Sequence, residues 1–142
     1  MENLEKLVGK KIKKIFFNEN YLKFETDDGN FCFTVEGDCC SHSVFYDFYG
    51  VKKLLENSKV LSVKEIQLTD DDKKDNKMYQ EEVSKYGYEI VTENKEFGEQ
   101  TSVFSFRNYS NGYYGGWMED CADQEVLPEI NDDVIETRTI DD

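Results

Sequence analysis

Polar and apolar residues alternate in the N-terminal quarter of the chain, a pattern typical of half-buried β-strands. Two such runs, residues 21–26 and 31–36, are separated by an Asp28-Gly29 pair, which is a strong signal for a tight turn. Because a further strand-like run precedes them, residues 11–36 predict a three-stranded antiparallel meander. The apolar positions of the two alternating runs are Leu22, Phe24, Phe31, Phe33 and Val35.

The spacing of apolar residues changes to a helical period after this meander. Val44, Phe48, Val51 and Leu55 recur at the intervals of one helix face, which predicts the main helix over about residues 44–56. Gly50 lies inside this pattern, so two shorter helices are an alternative to one.

Strand patterns return in the second half of the chain, at residues 59–70, 88–94 and 101–110. The polar run 70–87 predicts a loop with a short helical piece at 77–84. The C-terminal segment predicts two short edge strands, within 125–130 and 132–142. We find no internal repeat and no domain boundary. Residues 1–142 therefore predict a single α+β domain, with a mostly antiparallel, strongly curved sheet and one main helix.

The charge of the chain is strongly acidic: 17 basic residues face 31 acidic ones, for a net charge of −14. Such a chain repels nucleic acid and anionic membranes, so we expect no direct binding to either. The charge suits a basic protein partner, although acidity also serves solubility alone.

The acids concentrate in residues 119–142, which hold ten acidic residues and one basic residue. A second acidic cluster lies in residues 69–75, where lysines partly offset it. These two segments predict the partner-binding surface. Its expected residues are Asp70, Asp71, Asp72, Glu119, Asp120, Asp123, Glu125, Glu129, Asp132 and Asp133.

The chain has no apolar stretch near the roughly 20 residues of a membrane span. Its N-terminal residues mix acids with lysines and show no small-residue cleavage site, unlike a secretory signal. We therefore expect a cytoplasmic protein whose thiols stay reduced.

The segment "EGDCCSHS" (36–43) places Cys39, Cys40 and the single histidine, His42, within four positions. A disulfide framework is disfavoured in the cytoplasm, and a bridge between neighbouring cysteines is strained. A catalytic thiol needs a base and an orienting group; His42 is present, but no third member is obvious, with Asp38 and Asp47 as the candidates. Buried, inert thiols are a further alternative.

A structural zinc site fits the residue types of this segment best, because zinc prefers thiolate and imidazole ligands and takes four of them. The expected ligands are Cys39, Cys40, His42 and the distant Cys121. The spacing is not that of a standard zinc knuckle, so Cys32, Asp38 or Asp120 can replace one of them.

A second dense feature is the aromatic, glycine-rich stretch "YSNGYYGGW" (109–117). Asn111-Gly112 favours a tight turn, and Gly115-Gly116 allows a second bend or a close backbone approach. Its aromatic side chains either pack in the core or line a binding surface.

The motifs "GDCCS" (37–41) and "SNGYYGG" (110–116), with "LVGKKIKKI" (7–15) near the start, resemble a family of small proteins found largely in bacteriophages and prophages. The resemblance spans about residues 7–117 and leaves the acidic C-terminal segment outside it. Small acidic phage proteins of this type are similar to anti-CRISPR proteins. The resemblance therefore implies an inhibitor of a host defence system that acts in the cytoplasm of an infected bacterium.

The expected function is a non-enzymatic inhibitor that binds a basic surface of a type II CRISPR RNA-guided nuclease and blocks nucleic-acid loading. A module that binds a small nucleotide signal is the alternative, with the aromatic turn stacking the base. The negative net charge opposes such an anionic ligand, and Arg107 is the nearest cation to the turn.

Overall fold

The computed structural model describes residues 3–38, 40–68, 82–110 and 115–139. In these ranges the chain forms nine strands, one α-helix and two short 3₁₀ turns, Leu4–Leu7 and Thr137–Thr139. The elements are β1 (Ile12–Phe17), β2 (Tyr21–Thr26), β3 (Gly29–Gly37), β4 (His42–Tyr49), α1 (Val51–Glu56), β5 (Val60–Gln67), β6 (Glu82–Asn94), β7 (Gly98–Ser110), β8 (Gly116–Asp120) and β9 (Glu129–Ile130).

The strands form two antiparallel sheets. The first sheet has the order β8-β3-β2-β1-β9, and the second has the order β4-β7-β6-β5. The predicted N-terminal meander is confirmed, since β1, β2 and β3 pair consecutively. The antiparallel strand pairing is likewise confirmed, but the strands form two sheets and not the single curved sheet that was expected, and the helical part of the predicted α+β fold is small.

A cluster of phenylalanines fills the space between the two sheets. The ring of Phe17 in β1 lies 5.5 Å from the rings of both Phe45 and Phe48 in β4. Phe24 in β2 also packs against Phe48, at 6.3 Å between ring centroids. These rings are fully buried, and each contributes about 1.5–3 kcal/mol through removal of apolar area from water. The alternating phenylalanines of the sequence therefore form the core of a β-sandwich.

The predicted main helix over residues 44–56 is wrong in its first half, because residues 42–49 form β4 and the helix covers only Val51–Glu56. A register shift between Phe45 and Asp47 inserts one extra residue into β4. Phe45 and Phe48 therefore both face the core although they are three positions apart, and this spacing resembles one turn of a helix. Gly50, with φ of 80°, ends the strand and precedes the helix.

The predicted polar loop 70–87 is shorter than expected, because β6 begins at Glu82. The long partner strand β7 pairs with β6 over its whole length, from Glu82–Ser110 to Asn94–Gly98. Pairing of this length outweighs the weak strand pattern of residues 82–87. The described part of the helical piece expected at 77–84 is therefore strand.

The C-terminal segment crosses the first sheet and then reaches the second. Of the expected strand within 125–130, two residues form β9, which pairs with β1. Of the expected strand within 132–142, the described part forms a single bridge between Val134 and Phe48, followed by the second 3₁₀ turn. None of the helices in the described ranges is long and apolar enough to cross a membrane.

Candidate partner-binding surface

Two of the expected partner-binding acids, Asp132 and Asp133, bind the short helix α1. The Asp133 carboxylate accepts hydrogen bonds from the backbone N–H groups of Gly50 (2.9 Å) and Val51 (3.1 Å). Asp132 lies 3.6 Å from the Lys52 ammonium. The Asp133 carboxylate satisfies backbone amides at the start of α1, so it has a structural role, whereas Asp132 forms an exposed ion pair.

Asp123 fixes the segment that leaves β8, which we call the C-terminal strap (residues 121–128). Its carboxylate lies 2.7 Å from Nζ of Lys23, and the same ammonium donates a hydrogen bond to the Gln124 carbonyl at 3.1 Å. The hydrogen bond that Lys23 donates to Asp123 raises the pKa of Lys23, although burial lowers it. The same contact lowers the pKa of Asp123. The strap therefore covers a lysine that is 6% exposed.

The remaining expected acids differ in how far they are engaged. Asp120 forms an ion pair with Lys6. Glu125 and Glu129 are exposed, and no ion pair within the described ranges involves them. Asp70, Asp71 and Asp72 lie outside the described residues. The C-terminal acids are therefore not one free surface, because five of the expected ones bind groups of this chain: Glu119, Asp120, Asp123, Asp132 and Asp133.

Apart from the C-terminal segment after β8, acidic side chains also lie on the outward side of the β3–β8 pair. Glu36 in β3 is paired with Trp117 in β8, and Thr34 is paired with Glu119. Because Met118 packs toward the core, its neighbours Trp117 and Glu119 point outward. Trp117 is 43% exposed, and its Nε1 donates a hydrogen bond to Glu119 Oε2 at 3.2 Å. We call Glu36, Trp117 and Glu119 the Trp117 face.

The Trp117 face lies on an edge strand, since β8 ends the order of the first sheet. The backbone N–H of Cys121 donates to the Cys32 carbonyl at 3.0 Å. In an antiparallel pair every second residue directs its N–H and C=O groups to the same neighbouring strand, so Glu119 and Trp117 also direct theirs toward β3. The backbone of Met118, one position out of phase, is then directed away from β3, to an edge at which the described ranges place no further strand. An exposed edge of this kind can pair with a strand of another protein.

Asn108 links the motifs "GDCCS" (37–41) and "SNGYYGG" (110–116). The sequence pattern alone did not indicate this role. Asn108 is fully buried, and its side-chain amide donates to the hydroxyl oxygens of Ser41 (3.2 Å) and Ser43 (3.0 Å). Gly37 and Gly116 pair beside it, and a Cβ at either position would lie 2.7 and 3.0 Å from Asn108 Nδ2. The signal in the sequence was the motif glycines, which mark this close approach.

The residues of the expected zinc site are not brought together in the described ranges. Cys40 is exposed, and the His42 ring stacks on Tyr109 at 5.3 Å. Cys121 instead contacts Cys32, with 3.3 Å between the sulfur atoms. The β3–β8 register separates Cys32 from Gly37 by five residues, about 16 Å, so Cys121 lies far from the loop after Gly37.

The structure shows no group of three or more metal-ligating side chains within residues 3–38, 40–68, 82–110 and 115–139. Cys39 lies outside these ranges, so zinc binding by the loop stays a prediction. The three side chains named as substitutes have other contacts: Cys32 contacts Cys121, Asp38 accepts a hydrogen bond from the Gly115 N–H at 3.5 Å, and Asp120 binds Lys6.

The expected nucleotide site is only partly described, because residues 111–114 lie outside the described ranges. Arg107, the expected cation of that site, lies over the Tyr46 ring at 3.4 Å. Of the aromatic residues of this stretch that the structure describes, Tyr109 stacks on His42 and Trp117 belongs to the Trp117 face. The Arg107 guanidinium is therefore engaged by the chain itself.

A cavity of about 550 Å³ lies at the end of the sandwich that carries α1. Its polar wall includes Asn57, which hydrogen-bonds Thr92 and Gln100, and Asn94, which donates to Asn57 at 2.8 Å. Burial lowers the pKa of Lys11, which also lines this cavity. The charged residues around it are Lys11, Lys59, Lys95, Glu56, Glu93 and Glu96.

Comparison with known proteins places this architecture in a family. The family model described as "Domain of unknown function (DUF7448)" matches residues 5–119, from the first 3₁₀ turn into β8. The chain is also 33% identical over 113 residues to "Uncharacterized protein L278" of Acanthamoeba polyphaga mimivirus, covering 76% of this chain and 84% of that protein. No solved structure matches. The matched residues include Gly37, Asn108 and Gly116, and the chain belongs to the DUF7448 family.

Proposed function

We propose that this protein is a non-enzymatic inhibitor that binds a basic surface of another protein through its Trp117 face. The observation that carries the proposal is Trp117 itself: a large aromatic ring, 43% exposed, whose cross-strand partner is Glu36 and whose Nε1 donates to Glu119. Tryptophan is among the residues most enriched at the energetic centres of protein interfaces. Carboxylates around such a ring favour a partner with lysines or arginines.

Electrostatics supports a basic partner at longer range as well. The net charge of −14 attracts a cationic surface and accelerates association, and the acceleration weakens as salt screens the charges. The hydrogen bond from Trp117 Nε1 to Glu119 fixes the ring before binding. A fixed ring loses less conformational entropy on association, which favours affinity.

The partner we propose is a nuclease of a bacterial host defence system, first of all a type II CRISPR RNA-guided nuclease. The motif resemblance to phage proteins supports this choice, and the viral source of one relative is compatible with a viral role. Such nucleases hold guide and target strands in positively charged channels. An acidic protein docked there blocks the loading of nucleic acid.

The test measures binding of the purified protein to the purified nuclease without nucleic acid, at two salt concentrations. Trp117→Ala should weaken binding at least tenfold, and Glu36→Gln with Glu119→Gln should weaken it and flatten its salt dependence. The matched control is Glu125→Gln with Glu129→Gln, which removes the same charge from the strap and β9.

Equal loss in both double variants would mean that overall charge, and not the Trp117 face, drives binding. No binding by the unchanged protein would reject this nuclease as the partner. A pull-down from host lysate with Trp117→Ala as the control then identifies the basic protein that the Trp117 face selects.

A second candidate function, sequestration of a small nucleotide signal, is supported by the cavity of about 550 Å³ beside α1. Lys11, Lys59 and Lys95 supply cations for a phosphate there, although three glutamates oppose them. Calorimetric titration with cyclic nucleotides tests it. Binding that disappears in Lys11→Met and persists in Trp117→Ala would favour this function over the inhibitor.

A further inference from the structure

We propose that Cys32 and Cys121 form an oxidative modification site, in which a small hydroperoxide such as hydrogen peroxide joins the two thiols in a disulfide. The two sulfur atoms already lie 3.3 Å apart, and Cys121 donates its backbone N–H to the Cys32 carbonyl at 3.0 Å. Neither thiol belongs to the Trp117 face. The experiment on disulfide formation can therefore fail while the experiment on partner binding succeeds, and the reverse.

The β-ladder positions the two thiols for this reaction. Phe33 pairs with Asp120, so the next pair along the ladder joins Cys32 to Cys121 on the outward side of the first sheet. Directly opposed residues of antiparallel strands have Cα atoms about 4.5–5.5 Å apart, within the range that a disulfide spans. Because β8 ends at Asp120, Cys121 is in irregular chain, which can shift the little more than 1 Å that bond formation needs.

The surroundings give a small oxidant access to the pair. A cavity of about 140 Å³ opens on both thiols, between Asn30 of β3 and Asp120 of β8. Cys32 is buried, whereas Cys121 is partly exposed. The volume exceeds the roughly 30 Å³ share of a water molecule, so it admits a small peroxide.

The reaction proceeds in two balanced steps. The Cys121 thiolate attacks one oxygen of hydrogen peroxide, the O–O bond breaks, and Cys121 becomes a sulfenic acid; the hydroxide that leaves takes up the proton that the Cys121 thiol released, giving one water. The Cys32 thiolate then attacks the Cys121 sulfur, the S–O bond breaks as the S–S bond forms, and the hydroxide that leaves takes up the proton of the Cys32 thiol, giving the second water. Two thiols lose two electrons and two protons in total, and the peroxide accepts them. A dithiol reductant reduces the disulfide back to the two thiols.

The pH dependence of the reaction distinguishes this pair from an ordinary thiol. Burial, with the neighbouring Cys32, raises the pKa of Cys121 to about 12. The thiolate fraction, and with it the rate of the first step, should then rise about tenfold per pH unit from pH 7 to 10. An exposed thiol with an ordinary pKa of about 8.5 would reach a plateau near pH 9–10.

The test treats the full chain with hydrogen peroxide, blocks remaining thiols with an alkylating reagent, and maps peptides without reduction. We expect a Cys32–Cys121 linked peptide, the pH profile above, and a rise of about 5 °C or more in the unfolding temperature that a dithiol reductant removes. Cys40→Ser is the matched control and should leave the linked peptide and the temperature shift unchanged.

Cys32→Ser and Cys121→Ser should each abolish the shift, and Cys32→Ala serves as a second variant if the serine disturbs folding. Absence of the linked peptide after complete reaction would overturn the proposal. A bridge from Cys121 to Cys39 or Cys40 would overturn it too, because it would require a different register of β8 on β3.

Discussion

The Lys23 ammonium lies 2.7 Å from the Asp123 carboxylate, under the strap that connects β8 to β9. The lysine side chain is 8% exposed and the aspartate side chain 52% exposed, so water solvates the carboxylate much more than the ammonium. Lys23 also lies over the Phe16 ring, at 5.3 Å. Loss of the carboxylate would leave a nearly buried ammonium with fewer partners, which is a costly state.

The first prediction is that Asp123→Asn lowers the free energy of unfolding at pH 7 by about 1–3 kcal/mol, the usual range for a hydrogen bond to a charged group. Urea unfolding of both proteins measures the difference. Because the contact lowers the pKa of Asp123, its contribution is present above the ordinary aspartate pKa and is lost as pH falls through the lowered value. The difference between the two proteins should therefore shrink at strongly acidic pH.

The matched control for this prediction is Asp132→Asn. Asp132 and Lys52 are 3.6 Å apart, but both side chains are 68% exposed, so we expect a change below about 1 kcal/mol. Equal effects of the two substitutions would show that the strap contact is an ordinary surface ion pair.

The second prediction concerns Gly116, where the backbone passes close to its neighbours. A Cβ at this position would lie 2.2 Å from Ser43 Oγ and 2.9 Å from the Glu36 carbonyl oxygen. The serine can rotate, but the backbone carbonyl cannot move without disturbing the β3–β8 pair. Gly116→Ala should therefore destabilise the protein by about 1–3 kcal/mol, as overpacking does, in a thermal or urea unfolding experiment.

Gly115→Ala is the comparison, since the nearest atom to its Cβ would be the Tyr86 hydroxyl at 3.0 Å, at the far end of a side chain. We expect a smaller loss there. A larger loss at Gly115 than at Gly116 would contradict the close packing of β8 on β3.

The sequence predicts those parts of the fold where local pattern and tertiary pairing agree. Leu22, Phe24 and Phe33 alternate regularly, and each is buried in the sandwich as the pattern indicates. In β4 the bulge between Phe45 and Asp47 changes the period within one strand, and local spacing then resembles a helix. A single sequence does not show where such a bulge lies, because it depends on the partner strand β7.

The candidate site was less predictable than the fold, since long-range register decides it. Cys121 was expected beside Cys40 and His42, but the β3–β8 register places it beside Cys32. The carboxylate of Asp133 was expected at a partner, and it caps α1. Charge and residue type indicated which chemistry the chain carries, whereas only the pairing of distant strands determines which groups meet.

The third prediction concerns zinc in the loop after Gly37. We expect elemental analysis of protein purified without added metal to find about one zinc per chain, which Cys40→Ser and His42→Ala should remove. Because Cys121 lies about 16 Å from this loop, Cys121→Ser should retain the metal. Loss of zinc in Cys121→Ser would restore the four-ligand set expected from the sequence, and protein without zinc would show that the loop thiols serve another purpose.

The fourth prediction concerns Asp47, whose pKa changes in the direction opposite to that of Asp123. Burial raises the pKa of Asp47, although the Ser105 hydroxyl, at 2.5 Å, and Arg107 favour its charged form. A raised carboxyl pKa means that folding favours the protonated acid, so this stability is present below the ordinary aspartate pKa and is lost as pH rises through the raised value.

Asp47→Asn should therefore leave stability at pH 7 unchanged or increase it, because the amide oxygen still accepts the Ser105 hydrogen bond without the cost of a buried charge. Urea unfolding from pH 3 to 7 measures this, and we expect the variant to gain relative to the unchanged protein as pH rises. Asp123→Asn should show the reverse trend over the same range. If Asp47→Asn instead loses stability at pH 7, the attraction of Arg107 for the charged carboxylate exceeds the cost of its burial.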